Sequence, residues 1–487
     1  MQGVFSSTSE VNSPGHLRRG RALQIVVIFL LAVTVRMVFV ITAPPANGDA
    51  KSRYIATAVN VLDGHGFSID QQPPYTTGEA AVPVYPLFIA FTYKIFGRHE
   101  MAVKLLQVVI DLATCLLIGF VSFNLASASL KDSAAMFSVS IAGVFSWFTF
   151  VWTSDLLTET LTLFLTMSVV GLCILAMRAR QKRNWLWLGA GLGCGLALLT
   201  RPDSVFLAFS LVLLLLGRMA QVRSWGRVRN ILSLALGIVL VLAPWVVRNY
   251  FTLGKFQPLA SEYGFSRATY MPPGYLKWIR TWITDETYFS NVFPPAFDGG
   301  SAYLDPNRLP DSAFDSPEEY RRVLTLIAQY NQTRLFTPAI SDGFAQIANE
   351  RIARTPARFL ITLPVRRAAS MWLTGFAVRQ PTNHVGIFKI LPVASPTLLL
   401  VIRVLSVLPI IIGGILGFAL LCQRSALVTL LLLTVLLRTI FMAYHYAPET
   451  RYIVEAYPPM IAACGVTAAA LWHSLNRARR RFSKREE

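Results

Sequence analysis

Charge is scarce in this 487-residue sequence: Asp, Glu, Lys and Arg make up 15% of it, against about 25% in a typical soluble domain. With 54% hydrophobic residues and a mean hydropathy of +0.50, that shortage excludes an ordinary cytosolic enzyme. Disordered chains are low in hydrophobicity, so disorder is excluded as well. Cysteine is sparse too. The five residues, Cys115, Cys173, Cys194, Cys422 and Cys464, all lie in apolar segments, form no CxxC and leave the hydrophilic loops without a thiol. That distribution argues against a disulfide framework or a zinc site, and the thiols read as small packing groups. Acids are outnumbered, 26 against 45 Lys and Arg, for a formal net charge of +19. No basic groove with interleaved aromatics accompanies the excess, which excludes a nucleic-acid partner. No internal repeat is visible, which counts against a transporter built from inverted repeats.

What the sequence has instead is long apolar runs, and about 20 apolar residues suffice to cross a bilayer as a helix. Ten such runs, near 22–43, 101–129, 133–152, 156–178, 185–200, 203–218, 229–247, 397–422, 425–443 and 452–473, predict an all-α polytopic membrane protein. The basic residues cluster between them, at Arg18 to Arg21, Arg178 to Arg183, Arg218 to Arg229 and Arg477 to Arg485. The positive-inside tendency then places both termini in the cytoplasm. The predicted organisation is a basic cytoplasmic N-terminus (1–21), a transmembrane core (22–247) with a first outer loop (44–100), and a large extracytoplasmic region with interfacial helices (248–396). C-terminal spans (397–473) and a basic cytoplasmic tail (474–487) follow. Within the first outer loop, Val82 to Phe96 is too short to span comfortably and is expected to lie along the interface or dip into it. In the large outer region the clear helix is expected near 341–376, with Trp278, Trp282 and Trp372 resting as a lid at headgroup level.

Charges inside spans are costly and mark functional or paired positions. Arg36, Asp111, Asp155, Glu159, Arg403 and Arg438 all fall in the outer halves of their spans. That common layer suggests a polar cavity opening outward, or a set of helix-locking pairs such as Arg36 with Asp111. Asp49, in Asn47-Gly48-Asp49-Ala50, sits where a loop carboxylate could act as general base toward a hydroxyl, or be a solvated loop acid. In Thr153-Ser154-Asp155-Leu156-Leu157-Thr158-Glu159, Ser154 reads as an N-cap, with Asp155 in the first helical turn. Glu159, one turn deeper, is less easily explained by the helix dipole, and could hold a substrate hydroxyl or orient a cation. Arg201, Arg248 and Arg451 stand at outer span ends, where snorkelling to lipid phosphates or binding a phosphate-bearing lipid substrate would account for them.

These residues, taken in order, resemble the GT-C glycosyltransferases that use polyprenyl-phosphate sugars, with protein O-mannosyltransferases and lipid A aminoarabinose transferases the most alike in pattern. The matching pieces are Arg36; Asp49 with Arg53-Tyr54-Ile55-Ala56; Asp63-Gly64-His65-Gly66-Phe67; Val82-Pro83-Val84-Tyr85-Pro86-Leu87-Phe88; Leu157-Thr158-Glu159; Leu199-Thr200-Arg201-Pro202; Pro244-Trp245 through Arg248-Asn249-Tyr250; and Arg451-Tyr452. The resemblance implies a GT-C helix bundle, a lipid-phosphate-linked sugar donor, and transfer with inversion on the extracytoplasmic side. It implies Asp49 as base, with Glu159 and Asp155 as the other catalytic acids. Arg53, Tyr54, Arg201, Arg248 and Arg451 would contact substrate or phosphate, while Arg36, Asp111, Arg403 and Arg438 would be structural. The sequence departs from the family at Ala50 and Ala81, positions often charged in it. No cofactor is implied, and a divalent metal requirement is left open. The implied partners are a polyprenyl-phosphate sugar, an acceptor lipid, glycan or protein, and membrane lipids; the implied location is a bacterial inner membrane. A lipid-linked-sugar flippase and a non-catalytic scaffold on the same fold are the competing readings.

Overall fold

In hydrocarbon every backbone N–H and C=O must be paired within the segment, so apolar runs become helices. The computed structural model describes residues 14–46, 48, 50–78, 82–179, 183–221, 225–260, 272–297, 302–374, 396–421 and 426–486. Asp49 and Ala81 lie outside the described residues, as does the side chain of Arg403. No strand occurs among the described residues. The N-terminal part runs through α1 (Pro14–Thr42), α2 (Ala56–Leu62), α3 (Val84–Phe96), α4 (Glu100–Leu125), α5 (Lys131–Ser140), α6 (Trp147–Phe150), α7 (Glu159–Arg178), α8 (Arg183–Leu198), α9 (Val205–Gln221) and α10 (Trp225–Leu253). Short helices α11 (Pro273–Ile279), α12 (Phe289–Val292) and α13 (Pro294–Phe297) follow. After them come α14 (Pro317–Thr333), α15 (Pro338–Arg354), α16 (Leu363–Ala369), α17 (Pro396–Leu421), α18 (Ala426–Tyr444) and α19 (Tyr457–Glu486).

Each expected span is helical. Seven helices among the described residues are long and apolar enough to cross a membrane, or eight if a bent pair counts as one, which makes this a multi-pass membrane protein. The expected third span, near 133–152, is this bent pair. A π-turn at Ile141–Phe145 ends at Ser146, and the chain turns by 59° between Lys131–Phe145 and Trp147–Ser154. Helices α8 and α10 meet at glycines: a Cβ on Gly191 would stand 2.1 Å from the Leu234 carbonyl oxygen, and one on Gly237 would stand 2.4 Å from that of Leu188. Without a hydrophobic driving force between spans, such backbone-to-backbone contact is what holds helices together in lipid.

The region 272–374 builds a second apolar core. Trp278 and Trp282 were expected at headgroup level, but both are buried in that core against Tyr275, Phe344 and Tyr288. Trp372 is half-buried, stacks on Tyr457 and donates to the Thr439 hydroxyl. Helix α14 is additional to the helix expected near 341–376. Further contacts tie this region to the spans. The buried Arg367 donates to the carbonyls of Arg280, Ile283 and Ala443, where α11 and α18 end. Helix C-termini carry the unpaired carbonyls and the negative end of the dipole, so a cation suits both at once. Glu286 accepts from the Thr450 backbone N–H and hydroxyl, and the Tyr444 hydroxyl donates to the Leu360 carbonyl.

An ion cluster fastens α14 to α15. Asp315 pairs with Arg351 and Arg358 at 2.8 Å each, and Glu319 lies 2.9 Å from Arg351. Burial works to raise the Asp315 carboxyl, but the hydrogen bond and charge of Arg358 and the charge of Arg351 outweigh it and leave the group below its ordinary value. Burial raises Glu319. A depressed carboxylate contributes stability above its unfolded pKa, about 4, and loses it as pH falls through the folded value. A raised one has the opposite sign, favouring the fold below about pH 4.3 and losing that contribution as pH rises. Asp315→Asn should therefore lower the melting temperature at pH 7 and flatten its decline between about pH 5 and pH 3. An unchanged acid limb in melting scans of the detergent-solubilised variant would remove Asp315 as its cause.

Candidate functional site

Four of the charges expected within spans, Arg36, Asp111, Glu159 and Arg438, fall into two clusters. In the first, Arg36 and Asp111 face each other, with guanidinium nitrogens 2.5 and 2.6 Å from Asp111 Oδ2. Arg36 also donates to the carbonyls of Ala32 (2.9 Å) and Gly143 (2.6 Å) and lies 5.0 Å above the Phe150 ring. The π-turn explains the geometry: it breaks the i→i−4 ladder, and Arg36 takes up a freed carbonyl.

The second cluster holds Glu159, Arg201, Asp203, Arg438 and Glu455. Arg201 Nη1 is 2.8 Å from Glu159 Oε1, and Arg201 Nε is 3.0 Å from Asp203 Oδ2 and 3.5 Å from Glu455 Oε1. Arg438 Nη2 is 2.7 Å from both Asp203 Oδ2 and Glu455 Oε2, and its Nε donates to the Tyr452 carbonyl. All five are buried or nearly so; Glu159 is 1% exposed. The other Glu159 oxygen, Oε2, has no hydrogen-bond partner among the described residues. Arg201 also faces the ring of Tyr452 at 5.4 Å. Arg451 lies at the same distance, 5.4 Å, from the Tyr452 centroid and pairs with Glu449, which accepts from the Tyr452 hydroxyl. Arg201 is thus occupied by carboxylates rather than set at a lipid headgroup.

Arg248 is different. It sits near the C-terminal end of α10, 4.8 Å from the Trp245 ring and 5.5 Å from the Phe67 ring of the first loop. Its guanidinium donates to Asn249 Oδ1, and no carboxylate pairs with it among the described residues. A guanidinium carries five N–H donors, so most of its capacity is unspent. Arg53 lies 5.9 Å over Tyr54, whose ring meets Tyr85 edge-on at 5.1 Å. The loop is anchored just before residue 47, where Glu100 accepts from the Ala46 N–H and Lys104 donates to the Pro44 carbonyl. Farther along, the hydrogen bond from Arg98 holds the exposed Asp63 below its ordinary carboxylate value.

Asp155 requires a correction. Helix α7 starts at Glu159, and the Ser154 hydroxyl donates backward to the Val151 carbonyl instead of capping. The buried side chain of Gln107 sets this turn. Its amide donates to the carbonyls of Thr153 and Asp155, and its oxygen accepts from the Tyr85 hydroxyl. Sequence reasoning missed Asp203, Glu455 and Gln107. Glu455 had a usable signal, an acid inside the last apolar run. Among the described residues no group of three or more His, Cys, Asp and Glu is arranged to hold a metal ion.

Residues 78–247 match the family model described as dolichyl-phosphate-mannose-protein mannosyltransferase. The match covers about a third of the chain and contains Glu159, Arg201 and Asp203, together with three of the matching pieces of the sequence resemblance and part of a fourth. No curated protein matches the chain by sequence. Among solved structures it is similar to ArnT from Cupriavidus metallidurans bound to undecaprenyl phosphate, at 17% identity over 92% of this chain and 78% of that one, with a TM-score of 0.38. It is also similar to the archaeal oligosaccharyltransferase AglB from Archaeoglobus fulgidus in complex with an inhibitory peptide and a dolichol-phosphate. There the identity is 12% over 95% of this chain and 52% of that one, with a TM-score of 0.49.

Proposed function

We propose that this protein is a membrane glycosyltransferase that moves a sugar from a polyprenyl-phosphate donor to an acceptor hydroxyl on the extracytoplasmic side, with inversion. The observation that carries the reading is the family match over 78–247, the stretch that supplies the Glu159–Arg201 pair. The acceptor oxygen attacks the anomeric carbon from the face opposite the phosphate. The C–O bond to the phosphate breaks, the acceptor proton passes to Asp49, and polyprenyl phosphate departs with the bonding pair. Arg248, held between Trp245 and Phe67 with donors to spare, suits the charge that develops on the leaving phosphate. Electrostatic stabilisation of this kind is often the main source of an enzyme's rate enhancement. Arg53, Tyr54 and Arg451 would line the approach of the lipid headgroup, and Glu159 would accept a hydrogen bond from the sugar.

The test is mass spectrometry of envelope glycans and glycoproteins from cells with and without the protein. The expected result is loss of one sugar from one acceptor class, restored by the wild-type chain. Identical glycan profiles, with expression verified, would overturn the assignment and favour the scaffold reading.

A further inference from the structure

Five charged side chains packed inside a membrane protein need a physical cause. Replacing a buried ion pair by apolar groups of similar volume is often neutral or even stabilising, so stability alone does not explain this cluster. Its connectivity does better. Asp203 and Glu455 each contact both Arg201 and Arg438, closing a four-membered ring of two guanidinium and two carboxylate groups. With all four ionised, the ring is formally neutral. Arg201 uses its Nε edge inside the ring, and Nη1 is left to reach Glu159. A planar guanidinium fixed along one edge cannot turn about its own axis, so the direction of Nη1 is set by the ring. Glu159 is the fifth charge, the unmatched negative one, and its buried Oε2 has no hydrogen-bond partner among the described residues. An orphaned acceptor of this kind costs free energy unless something fills it.

We infer that Asp203, Glu455 and Arg438 are positioning residues: they orient Arg201 so that it holds Glu159 by one oxygen and leaves the other to accept a hydrogen bond from a hydroxyl of the donor's sugar. This rests on the lipid-linked-sugar reading above and adds three residues to it, one on the α8–α9 turn, one on α18 and one in the 3-10 turn before α19. Asp203 is 235 residues from Arg438 in sequence, so the ring also makes the sugar contact depend on how the C-terminal spans pack against the N-terminal core.

The test compares two lipids bound to the full-length protein in nanodiscs, polyprenyl phosphate and polyprenyl-phosphate mannose. Wild-type protein should bind the mannose-bearing lipid about 10-fold or more tighter, the worth of a hydrogen bond to a charged acceptor. Glu455→Gln, which keeps the volume and removes the charge, should lose that preference and keep its affinity for the bare lipid. Because Glu455→Gln leaves an unbalanced cation that can unfold the protein, the neutral pair Glu455→Met with Arg438→Met is the second variant. It removes one charge of each sign, should melt near the wild-type temperature, and should still lose the preference. Arg201→Lys should lack the preference as well, since an ammonium cannot serve both edges. A well-folded double variant that keeps the mannose preference would overturn the inference. A wild-type protein that binds polyprenyl phosphate but shows no preference for the mannose lipid would overturn it too, with the donor reading intact. A wild-type protein that binds neither lipid would overturn the donor reading and this inference together.

Discussion

Asp49→Asn should reduce sugar transfer by about 10²- to 10⁴-fold, the usual contribution of general base catalysis, while binding of the lipid donor stays nearly unchanged. The substitution keeps the side-chain size and removes its ability to take a proton from the acceptor hydroxyl. Arg248→Ala should fail in another way. A phosphate contact acts on the bound donor as well as on the transition state, so both donor affinity and turnover should fall. The packing of Arg248 against Trp245 and Phe67 adds a second reason, since truncation also removes a surface on which the loop rests. The informative comparison is therefore between the two variants: kcat alone for Asp49→Asn, kcat and KM together for Arg248→Ala. Near-normal transfer by a folded, membrane-inserted Asp49→Asn protein would remove Asp49 as base and shift the role to Glu159 or Asp155.

Arg36→Met should destabilise the protein by about 3–5 kcal/mol, the cost of leaving the partner of a buried pair uncompensated. Asp111 would then stand buried without its cation, and the carbonyls of Ala32 and Gly143 would lose a donor. Asp111→Leu should cost less, because the guanidinium keeps those two carbonyls. The double variant should be more stable than Arg36→Met alone, since no bare carboxylate remains. Unfolding of the four proteins in one detergent yields the coupling energy directly. Strictly additive losses would mean that the 2.5 Å pair carries no net interaction.

The helices were readable because hydrophobicity over about 20 residues encodes them without reference to any partner. The depth of Arg36 and Asp111 was readable for the same reason, as each sits a countable number of residues from the end of its run. The bend at Ser146 was not, because a π-turn has no strong local code and here depends on an arginine more than a hundred residues away. Helix α14 did have a code: in Ser316-Pro317-Glu318-Glu319, the Ser316 hydroxyl accepts from the Glu319 N–H, an arrangement the residue types announce. Trp278 and Trp282 were misplaced because an amphipathic ring suits a headgroup layer and a core about equally. Asp203 looked ordinary, an acid after a proline that the helix dipole explains, whereas Glu455, inside the last apolar run, carried a signal that went unused. Asp203 also reaches Arg438 and Glu455 reaches both Arg201 and Arg438, pairings between elements that exist only once the bundle has formed.

The π-turn at Ile141–Phe145 has a further consequence, for the length of the chain. It holds one residue more than an α-helix would use for the same climb, and each residue gained or lost in a helix rotates the rest of that helix by about 100°. Upstream of it, Ser138 reaches the Ile461 carbonyl; downstream, Phe150 packs on Phe39 and under Arg36. A single deletion between them would heal the turn into a regular helix and swing one of these contacts to the wrong side, even if every remaining side chain were kept. A residue added in the turn at 126–130 shifts neither. This stretch of the protein is specified by its count of residues as firmly as by their identities.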